Sequence, residues 1–302
     1  MTLAQARAVA DAVLFDGNLL QPHRAPALQN RMRWQFGVLA PRSAGGAETW
    51  FQQTECLVEA AAETTVDIRV RCVQLRHDGG ESRWDEGIVR EFAVPVTLGA
   101  IEQPRTVMFE LPAGTERRDG QNWHRYRVPG LIHIECHRAC ADRPVRRLQV
   151  RVENHSEWAP GPADVRENVL RRSLASVHTM FAVRGGEFVS LLEPPEWADE
   201  LAAACRNIST WPVLVGSPAD RDAMLSSPVI LADHPSMPVP DGDGEPATAG
   251  IPTPRRLAEQ DALDPNIGCW DITRWRTPRL PEQTDRSAEQ LYSTFRYPWN
   301  DG

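Results

Sequence analysis

The sequence predicts an α+β protein: a mainly antiparallel, β-sandwich-like N-terminal domain, then a smaller α+β unit and an irregular Pro-rich tail. Three observations carry this. Between Trp34 and Val152 apolar residues recur mostly at period two, in runs of strand length separated by turn residues. The stretch Ala159-Pro160-Gly161-Pro162 then breaks the pattern, and helical and strand periods mix beyond it. From Ser236 onward proline, glycine and acids dominate, as in PDGDGEPATAGIPTP, and no period is sustained. The expected division is 1–158, 163–235 and 236–302.

Taken in order, MTLAQARAVADAVLF places Leu3, Ala6, Ala10, Val13 and Leu14 on one helical face, with Arg7 and Asp11 between them. This predicts a short docked helix and does not read as a signal peptide. Seven strand candidates follow: Arg33 to Leu39, Phe51 to Glu59, Thr65 to Leu75, Gly87 to Val96, Thr106 to Glu110, Tyr126 to Cys136 and Arg147 to Glu153. Ser43-Ala44-Gly45-Gly46, Asp78-Gly79-Gly80 and Asp119-Gly120 supply turn chemistry between them. Beyond the break, Asp164 is placed to cap a helix running to Ser173. Ser176 to Val183 and Glu187 to Leu192 read as a hairpin around Arg184-Gly185-Gly186, and Pro195 to Arg206 as an amphipathic helix opened by proline. Pro212 to Val215 and Val229 to Leu231 are short strand candidates.

Composition closes several functional classes. The chain has 41 acidic residues against 33 basic ones and a net charge of −8, which argues against a general nucleic-acid or anionic-membrane surface. Every basic residue is arginine. The absence of lysine removes a P-loop lysine, a kinase strand lysine, a Schiff base and a Ser-Lys dyad together. No apolar run approaches the roughly 20 residues of a membrane span, and the cytoplasm is the expected compartment. G-x-S-x-G, H-E-x-x-H and G-x-G-x-x-G are all missing. Asp241, Asp243 and Glu245 imitate the start of a calcium loop, but Pro246 and Pro252 stand where glycine and glutamate are needed. The pairs Asp85-Glu86 and Glu55-Glu59 could serve as acid and base, or lie on solvated strand faces.

Metal chemistry has one candidate, GLIHIECHRAC, with His133, Glu135, His137 and Cys140; zinc or nickel fits these ligand types. On a strand, Cys136 faces opposite to His133 and His137, and the two imidazoles sit about 13 Å apart. Further ligands, His124 or His155, would have to come from elsewhere. Cys56 and Cys72 fall on apolar rows and read as small core residues, and Cys205 falls on the apolar stripe of its predicted helix. Cys269 is the expected exposed thiol.

Protein binding has two candidate patches. Arg24, Arg31 and Arg33 beside Trp34 and Phe36 could grip a carboxylate-rich segment, or pair with nearby acids on a solvated face; Arg143, Arg146 and Arg147 invite the same two readings. The tail carries Trp270, Trp275 and Trp299 with Tyr292, Phe295 and Tyr297, and aromatics of this kind anchor interfaces as readily as cores.

Six segments together resemble an uncharacterised bacterial protein family, actinobacterial in type, encoded with NiFe-hydrogenase gene clusters. They are VADAVLFDGNLL, NRMRWQFGVLAP, QQTECLVE, HTMFAVRGGEFVSLLEPPE, CRNISTWPVLVG and MLSSPVILADHP, about a quarter of the chain. The resemblance implies a role in making, maturing or supporting a hydrogenase, with hydrogenase subunits or maturation factors as partners, and no catalytic residues. The expected function is therefore a non-catalytic accessory protein without a cofactor. The alternative is a metal-binding protein or metalloenzyme built on residues 133–140.

Overall fold

A computed structural model describes residues 2–16, 37–44, 48–78, 85–118, 120–158, 161, 166–228, 231–235, 239–240 and 246–247. The period-two runs form long strands: β1 Phe51–Ala60, β2 Thr65–Arg76, β3 Glu86–Thr97, β4 Arg105–Leu111, β7 Val128–Arg138 and β8 Val145–Asn154. Between β4 and β7 lies a hairpin of β5 Gly114–Arg118 and β6 Gln121–Arg125. Later come β9 Ala175–Val183, β10 Gly186–Val189, β11 Trp211–Leu214 and β12 Ala223–Ser227, with β13 Val239–Pro240 pairing β14 Pro246–Ala247. The helices are α1 Thr2–Asp16, α2 Arg166–Leu170 and α3 Asp199–Ala203.

Two five-stranded antiparallel sheets make the body, in the orders β10-β1-β8-β7-β4 and β11-β12-β9-β2-β3. Alternation along each strand sends one set of side chains inward. Cys56, Val58, Ile132, Ile134, Leu148 and Val150 of the first sheet meet Val66, Ile68, Val70, Val94, Phe181 and Met224 of the second in one buried cluster. Burying each large aliphatic or aromatic side chain among them stabilises the fold by about 1.5–3 kcal/mol. The thiols follow the same rule. Burial pushes Cys72 up to about 12 and Cys136 to about 11, so both act as small apolar groups.

The expected hairpin around Arg184-Gly185-Gly186 is a corner instead. β9 pairs with β2 and β12 in the second sheet, whereas β10 pairs with β1 in the first. Gly185 takes φ +79°, which a glycine adopts without strain. Gly186 lies so close to β1 that a Cβ there would sit 2.6 Å from that of Ala60 and 2.9 Å from the Glu59 carbonyl. The β1–β2 connection turns at the same place, since Ala60 is opposite Gly186 and Val66 opposite Val183. Two paired strands thus bend together from one sheet into the other, with Phe181 and Phe188 edge to face, 6.2 Å between centroids, inside the bend.

Strands from 51–154 and from 175–227 pair with each other in both sheets, β10 with β1 and β9 with β2. The two stretches expected as 1–158 and 163–235 therefore share one core. The expected helix from Asp164 is described over the five residues of α2 only, and the one from Pro195 as a 3-10 turn, Glu196–Ala198, followed by α3. The candidate Arg33 to Leu39 is described from Gly37 onward, with a single bridge from Leu39 to Leu174. Of Val229 to Leu231 only Leu231 is described, buried and outside any strand.

α1 lies on the outer side of the second sheet, against β9 and β12, through Ala6, Val9 and Ala10. Small residues let its backbone come close, and charges pin it. Arg7 forks onto Glu91 at 2.6 and 3.0 Å, while Arg71 bridges Glu91, at 3.0 Å, and Asp11. Burial acts to raise the Glu91 pKa, but the bonds from Arg7 and Arg71 outweigh it and hold the carboxyl below its ordinary range.

Candidate functional site

The outer side of the first sheet collects most of the chemistry-bearing residues that fall within the described chain. Register puts Gln53, Arg151, His133 and Thr106 in one row across β1, β8, β7 and β4. The next row is Phe51, Glu153, Leu131 and Met108. The β1 side of this face is roofed by residues 198–208: Ala198 and Ala202 pack with Leu57, Val145 and Val189. Glu55 is buried beneath that roof and accepts the Arg206 backbone N–H at 2.8 Å. Burial raises its pKa despite that bond and the nearby Arg147. The β7–β4 side is uncovered among the described residues, and Met108 stands 82% exposed on it.

At the uncovered end Glu153 is the hub. It is only 6% exposed, and accepts from Arg151 Nε at 2.5 Å. His155 Nε2 lies 2.7 Å and His133 Nε2 3.4 Å from its other oxygen. An ionised carboxylate only accepts, so His155 Nε2 carries its proton. Burial works against ionisation of Glu153, but the bonds from His155 and Arg151 prevail and its pKa is lowered. The guanidinium of Arg151 stacks 3.7 Å from the Phe51 ring centre, and Arg42 sits 4.7 Å from that of Trp50. Trp50 meets Phe51 edge to face at 5.0 Å and His155 at 6.4 Å. The result is an arginine-aromatic border beside an exposed apolar row.

The metal set expected from sequence does not assemble. His133, Glu135 and His137 do share the outer face of β7, as alternation requires, but each is engaged differently. His133 turns to Glu153 and, through Nδ1 at 2.9 Å, to Thr106. Glu135 accepts from Gln149 at 2.7 Å and has His137 3.5 Å away. Cys140 lies past the end of β7, packed on the apolar cluster under α3. His124 is on β6, beside Thr115, whereas His155 does reach His133, by way of Glu153 rather than Glu135. Among the described residues no group of three or more His, Cys, Asp or Glu is placed to hold a metal ion.

The remaining candidates divide cleanly. Arg24, Arg31, Arg33 and Trp34, and Trp270, Trp275 and Trp299, lie outside the described residues. Arg143, Arg146 and Arg147 are each opposite an acid: Glu59 at 3.7 Å, Glu102 at 3.1 Å and Glu55 at 4.0 Å. Asp85 is forked by Arg171 at 2.8 and 2.9 Å, and Glu86 pairs with Arg76 at 2.7 Å, so both of these acids sit in ion pairs. Of the Trp50, Phe51, Arg151, Glu153 and His155 border, sequence reasoning singled out His155 alone, as a further metal ligand, and not the arrangement. Its one linear signal is the pair Trp50-Phe51 at the mouth of a strand.

No protein-family model matches the chain, and no curated protein matches it. Among the described residues no helix is long and apolar enough to cross a membrane.

Proposed function

We propose that the protein is a non-catalytic accessory factor that binds a protein partner through the uncovered outer face of its first sheet, in the cytoplasmic assembly or maturation of a NiFe-hydrogenase. The observation that carries the binding role is the exposed Met108 beside half-buried Leu131 on a sheet face whose other half is roofed. Methionine adapts to irregular partner surfaces. β4 is the terminal strand of its sheet, so a partner strand could add to its edge. Arg151, Trp50 and Phe51 border this row with the residue types that concentrate binding energy. The hydrogenase setting rests on the six-segment resemblance.

The test is affinity purification from the native host with mass spectrometry, comparing the natural chain with Met108→Asp. Met108 is exposed, so the substitution should leave the melting temperature within the scatter expected for a surface change. The natural chain is expected to capture hydrogenase subunits or maturation factors, and the variant to lose roughly tenfold or more of that capture. Equal capture by the variant removes the face from the proposal; an eluate without hydrogenase-related proteins removes the setting.

A further inference from the structure

An open cleft of about 600 Å³ lies at the β5–β6 hairpin, lined by His77, Ala113, Gly114, Thr115, Arg125 and Tyr126 together with His124. The hairpin is held to the body by reciprocal backbone bonds between His77 and His124, 2.9 and 2.6 Å long. The His77 ring stacks on Tyr126 at 5.5 Å with only 16° between planes, and Thr115 Oγ1 is 3.0 Å from His124 Nδ1. The wall is thus built of flat rings.

Its charge is out of balance. Arg125 faces Gly114 across the hairpin and lies over it; a Cβ on Gly114 would fall 2.6 Å from its guanidinium. Arg125 Nε is buried and finds no hydrogen-bond partner among the described residues. The carboxylate that approaches Arg125 is that of Glu116, 4.0 Å away, which Arg76 holds more closely at 3.0 Å. Nearby Arg90 is anchored by a neutral group: both its Nε and one terminal nitrogen donate to the Gln74 amide oxygen, at 3.1 and 2.9 Å. Gln74 is fully buried, and its own Nε2 donates to the Pro112 and Tyr126 carbonyls, which fixes the amide oxygen toward Arg90. Burial and the charge of Arg125 both lower the Arg90 pKa, so the two guanidinium groups feel one another. Among the described residues Arg125 and its neighbour Arg90 thus have one carboxylate within ion-pair reach, Glu116, and that one is shared with Arg76, which leaves local positive charge in excess in a chain of net charge −8.

We propose that this cleft binds a small organic oxyanion, a carboxylate or phosphate carried on a planar ring, with Arg125 as its principal cation. The guanidinium fork matches either oxyanion, and the His77 and His124 rings line the cleft where a planar body packs, Tyr126 being engaged by His77 and by Arg172, 3.8 Å from its ring centre. The net negative charge of the protein repels anions generally, so binding of this kind has to come from a local site.

The full chain is titrated by calorimetry with benzoate, phenyl phosphate and inorganic phosphate. Saturable one-site binding of benzoate or phenyl phosphate is expected, tighter than inorganic phosphate; which of the two binds identifies the oxyanion. Arg125→Gln is expected to weaken it by roughly tenfold or more, the loss of a charge-assisted pair. Gly114→Ala provides a second variant that retains Arg125 but pushes its guanidinium aside, and should weaken binding as well. Each variant is accepted only with the thermal transition of the natural chain, and Gly114→Ala decides alone if Arg125→Gln fails to fold. No saturation by either ring compound in the millimolar range, or equal affinity in a folded variant, overturns the proposal.

Discussion

His178 is completely buried on the second sheet beneath α1, opposite Arg71 of β2. Its Nδ1 is 2.8 Å from the Ser176 carbonyl, an acceptor, so Nδ1 carries the proton and Nε2 is a bare lone pair. Burial pushes its pKa down from 6.5 to about 4, with the Ser176 bond opposing and Arg71 assisting. The folded state therefore resists a proton that the unfolded chain accepts. Stability from this group is complete above the unfolded value of 6.5 and is lost as pH falls from there toward 4. At about 1.4 kcal/mol per unit the loss amounts to about 3 kcal/mol. Urea unfolding from pH 7 to pH 4 should show that extra fall in the natural chain relative to His178→Leu. Parallel pH profiles for the two would sink the assignment. Glu55 and Asp233, whose pKa values burial raises, act in the opposite sense and are common to both chains.

At the scale of elements, β4 and β7 show how a strand pair depends on one residue without a side chain. Gly130 is opposite Phe109, whose ring lies over it; a Cβ at Gly130 would stand 2.2 Å from Phe109 Cζ and 2.9 Å from the Glu153 carbonyl of β8. The ring can swing away only by disturbing its contact with Phe92 of β3, 4.5 Å between centroids. Gly130→Ala should accordingly cost about 1–3 kcal/mol through overpacking, read as a lowered urea midpoint with an unchanged slope. A midpoint shift within error would show that the edge strand yields freely. The six candidate strands between Phe51 and Glu153 are legible because apolar and polar residues largely alternate along each, even in β1, which is buried on both faces but carries Gln53 and Glu55 on the roofed one. β5 and β6 were missed since, apart from Trp123, Gly114 to Arg117 and Gln121 to Arg125 are exposed or half-buried and leave no apolar alternation. β12, with all five residues buried, leaves none either. The hairpin misreading at Gly185-Gly186 has another origin: the glycines announce a turn, but which sheet the chain enters next is decided by the close approach of Gly186 to Ala60, which is tertiary.

The same division between local and distant information governs the whole molecule. Alternation placed His133, Glu135 and His137 on one face, yet their partners, Glu153, Thr106 and Gln149, come from strands whose order the sequence does not state. Likewise Ala159 to Pro162 reads as a boundary because proline and glycine interrupt a period, whereas strand pairing carries both stretches through the same two sheets. β9 lies between β2 and β12, and β10 completes the first sheet beside β1. Asn154, at the end of β8, donates to the carbonyls of Leu39 and Arg172 at 2.8 and 3.0 Å and so joins three distant segments. A core shared in this way unfolds as one unit, since removing either stretch strips the apolar face from the other. A protease site inserted within residues 159–165 tests this. After cleavage the two pieces should co-elute in size-exclusion chromatography and melt in a single transition, coincident by circular dichroism and tryptophan fluorescence. Separation of the pieces under native conditions, or two resolved transitions, would show instead that 1–158 and 163–235 fold as independent units.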